Sequence, residues 1–184
     1  MFMRQLLLLR HAKSSWDDPS VPDRERALSP RGHRAAAAMR QAMRRLGLAP
    51  DLVLVSPARR TRETLDALEP WDEAPLIEPM EVLYLAGAMR LLDIVRGVPE
   101  TVRSVMVVGH NPGMHELAVL LDKKGVAASP TAIGHLRAGY PAGALAEFNV
   151  PGGWSRLDTG GGQLVRFLRP RDLQDDGSET APER

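Results

Sequence analysis

The chain has 184 residues, 43% of them hydrophobic, which is enough to bury a sizeable core as one domain. With 24 basic against 23 acidic side chains the formal charge is +1, so global electrostatics predict neither a nucleic-acid nor a membrane partner. There is no cysteine, which excludes disulfides, thiol nucleophiles and cysteine-ligated metals.

Met3 to Leu9 reads as the first strand, because Leu6 to Leu9 is an apolar run without alternation, the pattern of a strand buried on both faces. Arg10 cuts the run too short for a signal-peptide core or a membrane span, and no later segment is long enough, so a soluble cytoplasmic protein is expected. Ser15 to Arg26, rich in Asp, Pro and Ser, reads as loop. Ser29-Pro30 then supplies an N-cap and a proline at the first helical position. Ala35, Met39, Ala42, Met43 and Leu46 follow at helical spacing, with Gly47 suited to the helix end.

Asp51 to Val55 is the second strand. Ser56-Pro57 repeats the Ser-Pro start and predicts a helix to about Leu68, broken at Pro70. Pro75 to Glu78 reads as a short third strand. Tyr84 to Gly97 reads as a helix with Leu85, Met89, Leu92 and Val95 as its buried stripe. After the strand Val102 to Val108, Asn111-Pro112 is expected to cap a helix carrying Met114, Leu117, Leu120 and Leu121. Pro130 to Ala138 reads as a short helix and Gly139 to Gly143 as a turn. Ala144 to Val150 and Gly162 to Leu168 read as an antiparallel hairpin at the sheet edge. The polar stretch from Arg171 onward is expected to be disordered.

Because helices separate the early strands, crossovers are available for parallel pairing. The expected architecture is α/β: a single-domain, three-layer sandwich with a mainly parallel sheet and helices on both faces, covering residues 1–173 ahead of a polar tail, 174–184.

Three of the strands end in chemistry-bearing residues: Arg10-His11, Ser56 to Arg60, and Gly109-His110-Asn111-Pro112. In open parallel sheets ligands bind at the carboxyl ends of the strands. Arg60 lies about one turn into its helix, and helical side chains lean back toward the amino terminus, so its guanidinium can return to the strand end. Arg59 and Arg62 fall on other faces. Two guanidiniums, two imidazoles and a helix start describe a site for phosphate or sulfate. The remaining histidines, His33, His115 and His135, lie outside these motifs. No HExxH, carboxylate cluster, GxGxxG or GxxxxGK[ST] occurs, so neither a metal nor a nucleotide cofactor is expected. With neither Cys nor a GxSxG elbow, His11 is the best nucleophile candidate, since a neutral imidazole can attack phosphorus and split hydrolysis into two steps.

Leu9 to Ala12, Ser56 to Thr64 and Val108 to Gly113 together resemble the three motifs of the histidine phosphatase superfamily, also called phosphoglycerate mutase-like, in order and spacing. The resemblance implies that fold, with His11 as nucleophile and Arg10, Arg60 and His110 in the phosphate pocket. It also places Ser14 where many members carry a hydroxyl near the phosphate. The usual Arg-His-Gly is Arg-His-Ala here, a small-for-small change expected to leave room for phosphate. No long lid insertion is present. The compact size, Arg10 to Trp16 and Arg169 to Leu173 look like the SixA-like phosphohistidine phosphatase branch.

Larger members use a carboxylate as proton donor. Glu81 is the best positional candidate here, with Asp17 and Asp18 as alternatives. A phosphohistidine substrate eases that requirement, since imidazole leaves well once protonated on its other nitrogen. The expected activity is therefore metal-independent removal of phosphoryl groups from phosphohistidine on a protein. A phosphatase for sugar or nucleotide phosphates and a catalytically inactive phosphate-binding module are the alternatives. Oligomeric state is not legible.

Overall fold

The computed structural model describes residues 3–122 and 130–174. Its strands are β1 (Met3–Arg10), β2 (Leu52–Val55), β3 (Leu76–Pro79), β4 (Ser104–Gly109), β5 (Leu145–Pro151) and β6 (Gln163–Leu168). They form one sheet in the order β3-β2-β4-β1-β5-β6. The pairings β3–β2, β2–β4 and β4–β1 are parallel, and β1–β5 and β5–β6 are antiparallel, which is the expected mainly parallel sheet with a late hairpin at one edge. The helices are α1 (Pro30–Leu46), α2 (Arg59–Asp66), α3 (Ala88–Arg96), α4 (Gly113–Leu121), α5 (Pro130–Ala138) and α6 (Pro170–Gln174).

Alternation along the central strands sorts the core into two layers. Leu6, Leu8, Leu52, Leu54, Val105 and Val107 face α3, α4 and α5, whereas Leu7, Leu9, Val53, Val55, Met106 and Val108 face α1 and α2. Both faces of β1, β2 and β4 are thus buried, so these strands carry unbroken apolar runs. Among the described residues no helix is long and apolar enough to cross a membrane.

Ser29 caps α1 by accepting from Gly32 N at 3.1 Å, and Gly47 ends the helix in the left-handed region at φ 65°. Four expectations need correction. The helix after β2 begins at Arg59, with Ala58 at its N-cap, and ends at Asp66, because the Ser56 hydroxyl is spent on His110. Asn111 does not cap α4: its amide donates to the Tyr140 carbonyl at 3.0 Å, and α4 starts at Gly113 with no side-chain cap. The helix expected from Tyr84 begins at Ala88, behind a 3₁₀ turn (Glu81–Leu83), with Leu85 at φ 51°; Leu85 and Met89 are exposed, and Leu91 joins Leu92 and Val95 in the core. Arg171 to Gln174 belong to α6, whose Leu173 packs against the α1 layer. The rest of the expected tail, 175–184, lies outside the described residues.

Candidate active site

Register brings the strand-end residues together. Arg10 pairs with Gly109 across β1 and β4, and Val55 pairs with Val108 across β2 and β4. The next backbone bonds continue the ladder: His11 N donates to Gly109 O at 3.1 Å, and Ser56 N donates to Val108 O at 3.0 Å. His11, Ser56 and His110 therefore emerge side by side at the carboxyl edge of three parallel strands, where open α/β sheets hold ligands.

His11 is 9% exposed, and its Nδ1 lies 2.8 Å from the carbonyl oxygen of Ala12. A carbonyl only accepts, so Nδ1 carries the proton and Nε2 keeps its lone pair. Burial pushes the imidazole down to about 4, with Arg60 and Arg10 adding to the effect against the Ala12 carbonyl and Asp23. His11 is consequently neutral at pH 7. The His110 ring centroid lies 5.2 Å away, with Tyr84 edge-on to His110 at 5.5 Å. His110 is pushed down to about 3 by burial, then by His11 and Arg60. Its Nδ1 accepts from Arg60 Nη2 at 3.3 Å, since a guanidinium only donates, which leaves Nε2–H to donate to Ser56 Oγ at 2.7 Å.

Both guanidiniums are held from behind. Arg60, 4% exposed, donates from Nη1 to Asp23 O at 2.5 Å and from Nη2 to Asp23 Oδ2 at 3.0 Å. Asp23 also accepts from the Tyr84 hydroxyl at 2.7 Å; that bond first, and Arg60 after it, hold its carboxyl below the usual range. Arg10 Nη1 donates to Tyr140 O at 2.7 Å. Burial, followed by repulsion from Arg60, lowers the Arg10 guanidinium, so the two cations are close enough to feel each other.

Arg10, His11, Ser14 and Arg60 all line one cleft of about 1040 Å³. His110 is not among the residues lining it; buried, it packs against His11 and accepts from Arg60. Glu81 is also outside the lining: its carboxylate is exposed and pairs with Arg24 at 2.6 Å. Asp17 and Asp18 are bound to the hydroxyls of Ser15 and Ser20 within the loop. Ala12 is fully buried with Leu28 and Ala36 and is not among the residues lining the cleft. Arg59 bonds Glu63 on the exposed side of α2.

Sequence reasoning missed two parts of the site. Asp23 was read only as loop, and no spacing marks it. The turn at residues 139–143 supplies the Tyr140 carbonyl to Arg10 and wraps the end of β1, with Gly143 N donating to His11 O at 2.9 Å. The one available signal was Gly143, which sits at φ 80°, a conformation suited to glycine. Among the described residues no group of three or more His, Asp or Glu could hold a metal ion.

Residues 6–80 match the model of the histidine phosphatase superfamily (branch 1). A solved structure named as a candidate phosphohistidine phosphatase SixA, from Nakamurella multipartitia, shares 32% identity and a TM-score of 0.79, covering 92% of this chain and 98% of that one. An uncharacterised protein of Mycobacterium tuberculosis is 32% identical over 164 residues, 89% of this chain and all of the relative. A chloroplastic protein of Arabidopsis thaliana, also uncharacterised, is 37% identical over 130 residues, 65% of this chain; the match spans 59% of that longer relative. With the sheet, the motifs and these likenesses in agreement, the chain belongs to the histidine phosphatase superfamily, in its SixA-like branch, and is a phosphatase.

Proposed function

We propose that the protein removes phosphoryl groups from phosphohistidine on a protein, without a metal, through a phosphohistidine intermediate on His11. The observation that carries this reading is the His11 contact with the Ala12 carbonyl, which leaves a neutral Nε2 lone pair beside two fixed guanidiniums. In the first step Nε2 attacks phosphorus, the bond from phosphorus to the substrate's ring nitrogen breaks, and the substrate imidazole departs neutral if its other nitrogen is protonated. In the second, water attacks the phosphoryl group, the His11–phosphorus bond breaks, and phosphate leaves with His11 neutral again. Arg10 and Arg60 stabilise the charge on the transferring oxygens, the role a divalent cation plays in other phosphoryl-transfer sites. Ser14, which lines the same cleft, donates to the same oxygens in this reading.

The choice of a phosphoramidate substrate rests on the carboxylates. An alkoxide leaving group needs an acid, but Glu81 is held outside the cleft by Arg24, and Asp23, though in the cleft, is kept ionised by Tyr84 and Arg60. A leaving imidazole that already carries its proton needs neither. The name of the Nakamurella relative points the same way. A cytoplasmic setting belongs to the same proposal.

The test is to quench wild-type turnover and locate the label. An acid-labile, base-stable phosphoryl group on His11, and a folded but inactive His11→Ala, are the expected results. Label on another residue, or an active His11→Ala, would reject the mechanism. Faster turnover of sugar or nucleotide phosphates than of a phosphohistidine protein would move the substrate to small esters.

A further inference from the structure

The cleft around His11 holds more positive charge than one phosphoryl group needs. Among the described residues, six that line it are Lys or Arg, against a single carboxylate, Asp23, on a chain whose formal charge is only +1. Arg10 and Arg60 are assigned above to the transferring phosphoryl group, and Arg169 is tied by both its Nε and Nη2 to the Asp172 carboxylate, which also lies 3.8 Å from Arg171. Lys13 and Arg31 remain, both exposed, and neither has an ion pair among the described residues.

These two are placed together by backbone packing. The Lys13 carbonyl accepts from Ser29 N at 2.8 Å and from Ser29 Oγ at 3.0 Å. The first turn of α1 lies so close that a Cβ on Gly32 would fall 2.1 Å from the Lys13 oxygen. Lys13 is thereby fixed against the first turn of α1, which carries Arg31 and no acidic residue, so the helix dipole adds to the same sign.

We propose that Lys13 and Arg31 form a second anion subsite that takes an acidic side chain flanking the phosphohistidine on a protein substrate. The inference rests on the phosphatase reading above and names the substrate surface. A protein is the better occupant for two reasons. Small-molecule pockets are mostly apolar with a few polar groups, whereas six of the twenty described lining residues here are Lys or Arg. The same cleft also presents Trp16, 63% exposed, with the Arg26 guanidinium 3.6 Å from its ring centroid, an apolar platform for a neighbouring surface.

The experiment compares two histidine-phosphorylated peptides, one with glutamates flanking the phosphohistidine and one with glutamines, alongside p-nitrophenyl phosphate. Wild type should favour the Glu peptide in kcat/KM by at least about fivefold, the upper value of one exposed ion pair. That preference should shrink as ionic strength rises. In Lys13→Gln/Arg31→Gln it should fall to about one, and in Lys13→Glu/Arg31→Glu it should invert. Equal wild-type turnover of both peptides, or a preference kept in the double variants, overturns the subsite for an acidic side chain while leaving the phosphatase intact. No turnover of peptides or p-nitrophenyl phosphate by wild type overturns the phosphatase reading itself. A preference for fructose 1,6-bisphosphate over fructose 6-phosphate that needs Lys13 and Arg31, without peptide discrimination, overturns the assignment to a protein.

Discussion

Acidification from pH 7 to pH 5 should destabilise the protein in a way that traces to two residues. His11 and His110 are neutral in the fold, pushed down to about 4 and about 3, whereas both bind a proton near 6.5 in the unfolded chain. Between those values the unfolded state holds more protons, so stability rises with pH and is lost as pH falls below 6.5. At pH 5 each unfolded imidazole is almost fully protonated and each folded one almost fully neutral, which costs about 2 kcal/mol per residue and about 4 kcal/mol together. Carboxylates held below their usual range, such as Asp23 and Asp172, lose their contributions at lower pH and stay outside this window. Asp122, raised by burial, acts in the opposite direction, and a variant comparison cancels it. Urea unfolding of wild type and His11→Gln/His110→Gln at both pH values is the assay. The double variant should lose about 4 kcal/mol less than wild type on acidification. Equal losses in the two proteins would refute the claim that burial keeps these imidazoles neutral, and with it the basis for His11 as a ready nucleophile.

Three further outcomes are expected. Arg60→Ala should lower kcat/KM for any phosphate substrate by roughly a hundred- to a thousand-fold, or 3–4 kcal/mol, whereas Arg59→Ala, which loses only an exposed pair with Glu63, should change it little in the same steady-state assay. Glu81→Gln should leave turnover of aryl phosphate, alkyl phosphate and phosphohistidine alike, since Arg24 holds the carboxylate away from the cleft; a loss of about a hundred-fold confined to alkyl esters would restore it as the acid. Ser56→Ala should destabilise the fold by about 1–3 kcal/mol in chemical denaturation, because it leaves the buried Nε2–H of His110 without an acceptor.

The parts of this fold that were legible in the sequence are those in which one local interaction has no competitor. Leu6 to Leu9 and Val105 to Val108 have no polar face to expose, so they are strands buried on both sides, and the residues after them must lie at one sheet edge. Ser29 behaves as a cap because its oxygen is free to accept from the first turn of α1 while its proton goes to the Lys13 carbonyl, so the two bonds do not compete. Ser56 and Asn111 offer the same start before proline but fail as caps: His110 takes the Ser56 oxygen, and the bond from the Asn111 amide nitrogen to the Tyr140 carbonyl turns Oδ1 away from the helix, without a partner among the described residues. Asp23 was illegible for the same reason. Its partners, Arg60 and Tyr84, lie 37 and 61 residues away, and nothing in an Asp-Pro-Ser loop shows which carboxylate will turn inward.

These long-range contacts bear on how the site can work. A guanidinium has five N–H donors. In Arg60 three are committed, to the Asp23 carbonyl, the Asp23 carboxylate and His110 Nδ1, and the Tyr84 hydroxyl lies beside the same guanidinium. Arg10 commits one, to the Tyr140 carbonyl, and its buried Nε has no partner among the described residues. Of the four acceptors that fix the two arginines, three are neutral: two carbonyls and one imidazole nitrogen. They orient the cations without cancelling their charge, and the Asp23 carboxylate offsets only part of it. Under the proposed mechanism, a phosphoryl group entering beside His11 would therefore meet donors already aimed and still short of negative charge. Such preorganisation stabilises a transferring phosphoryl group most as its charge spreads over the equatorial oxygens.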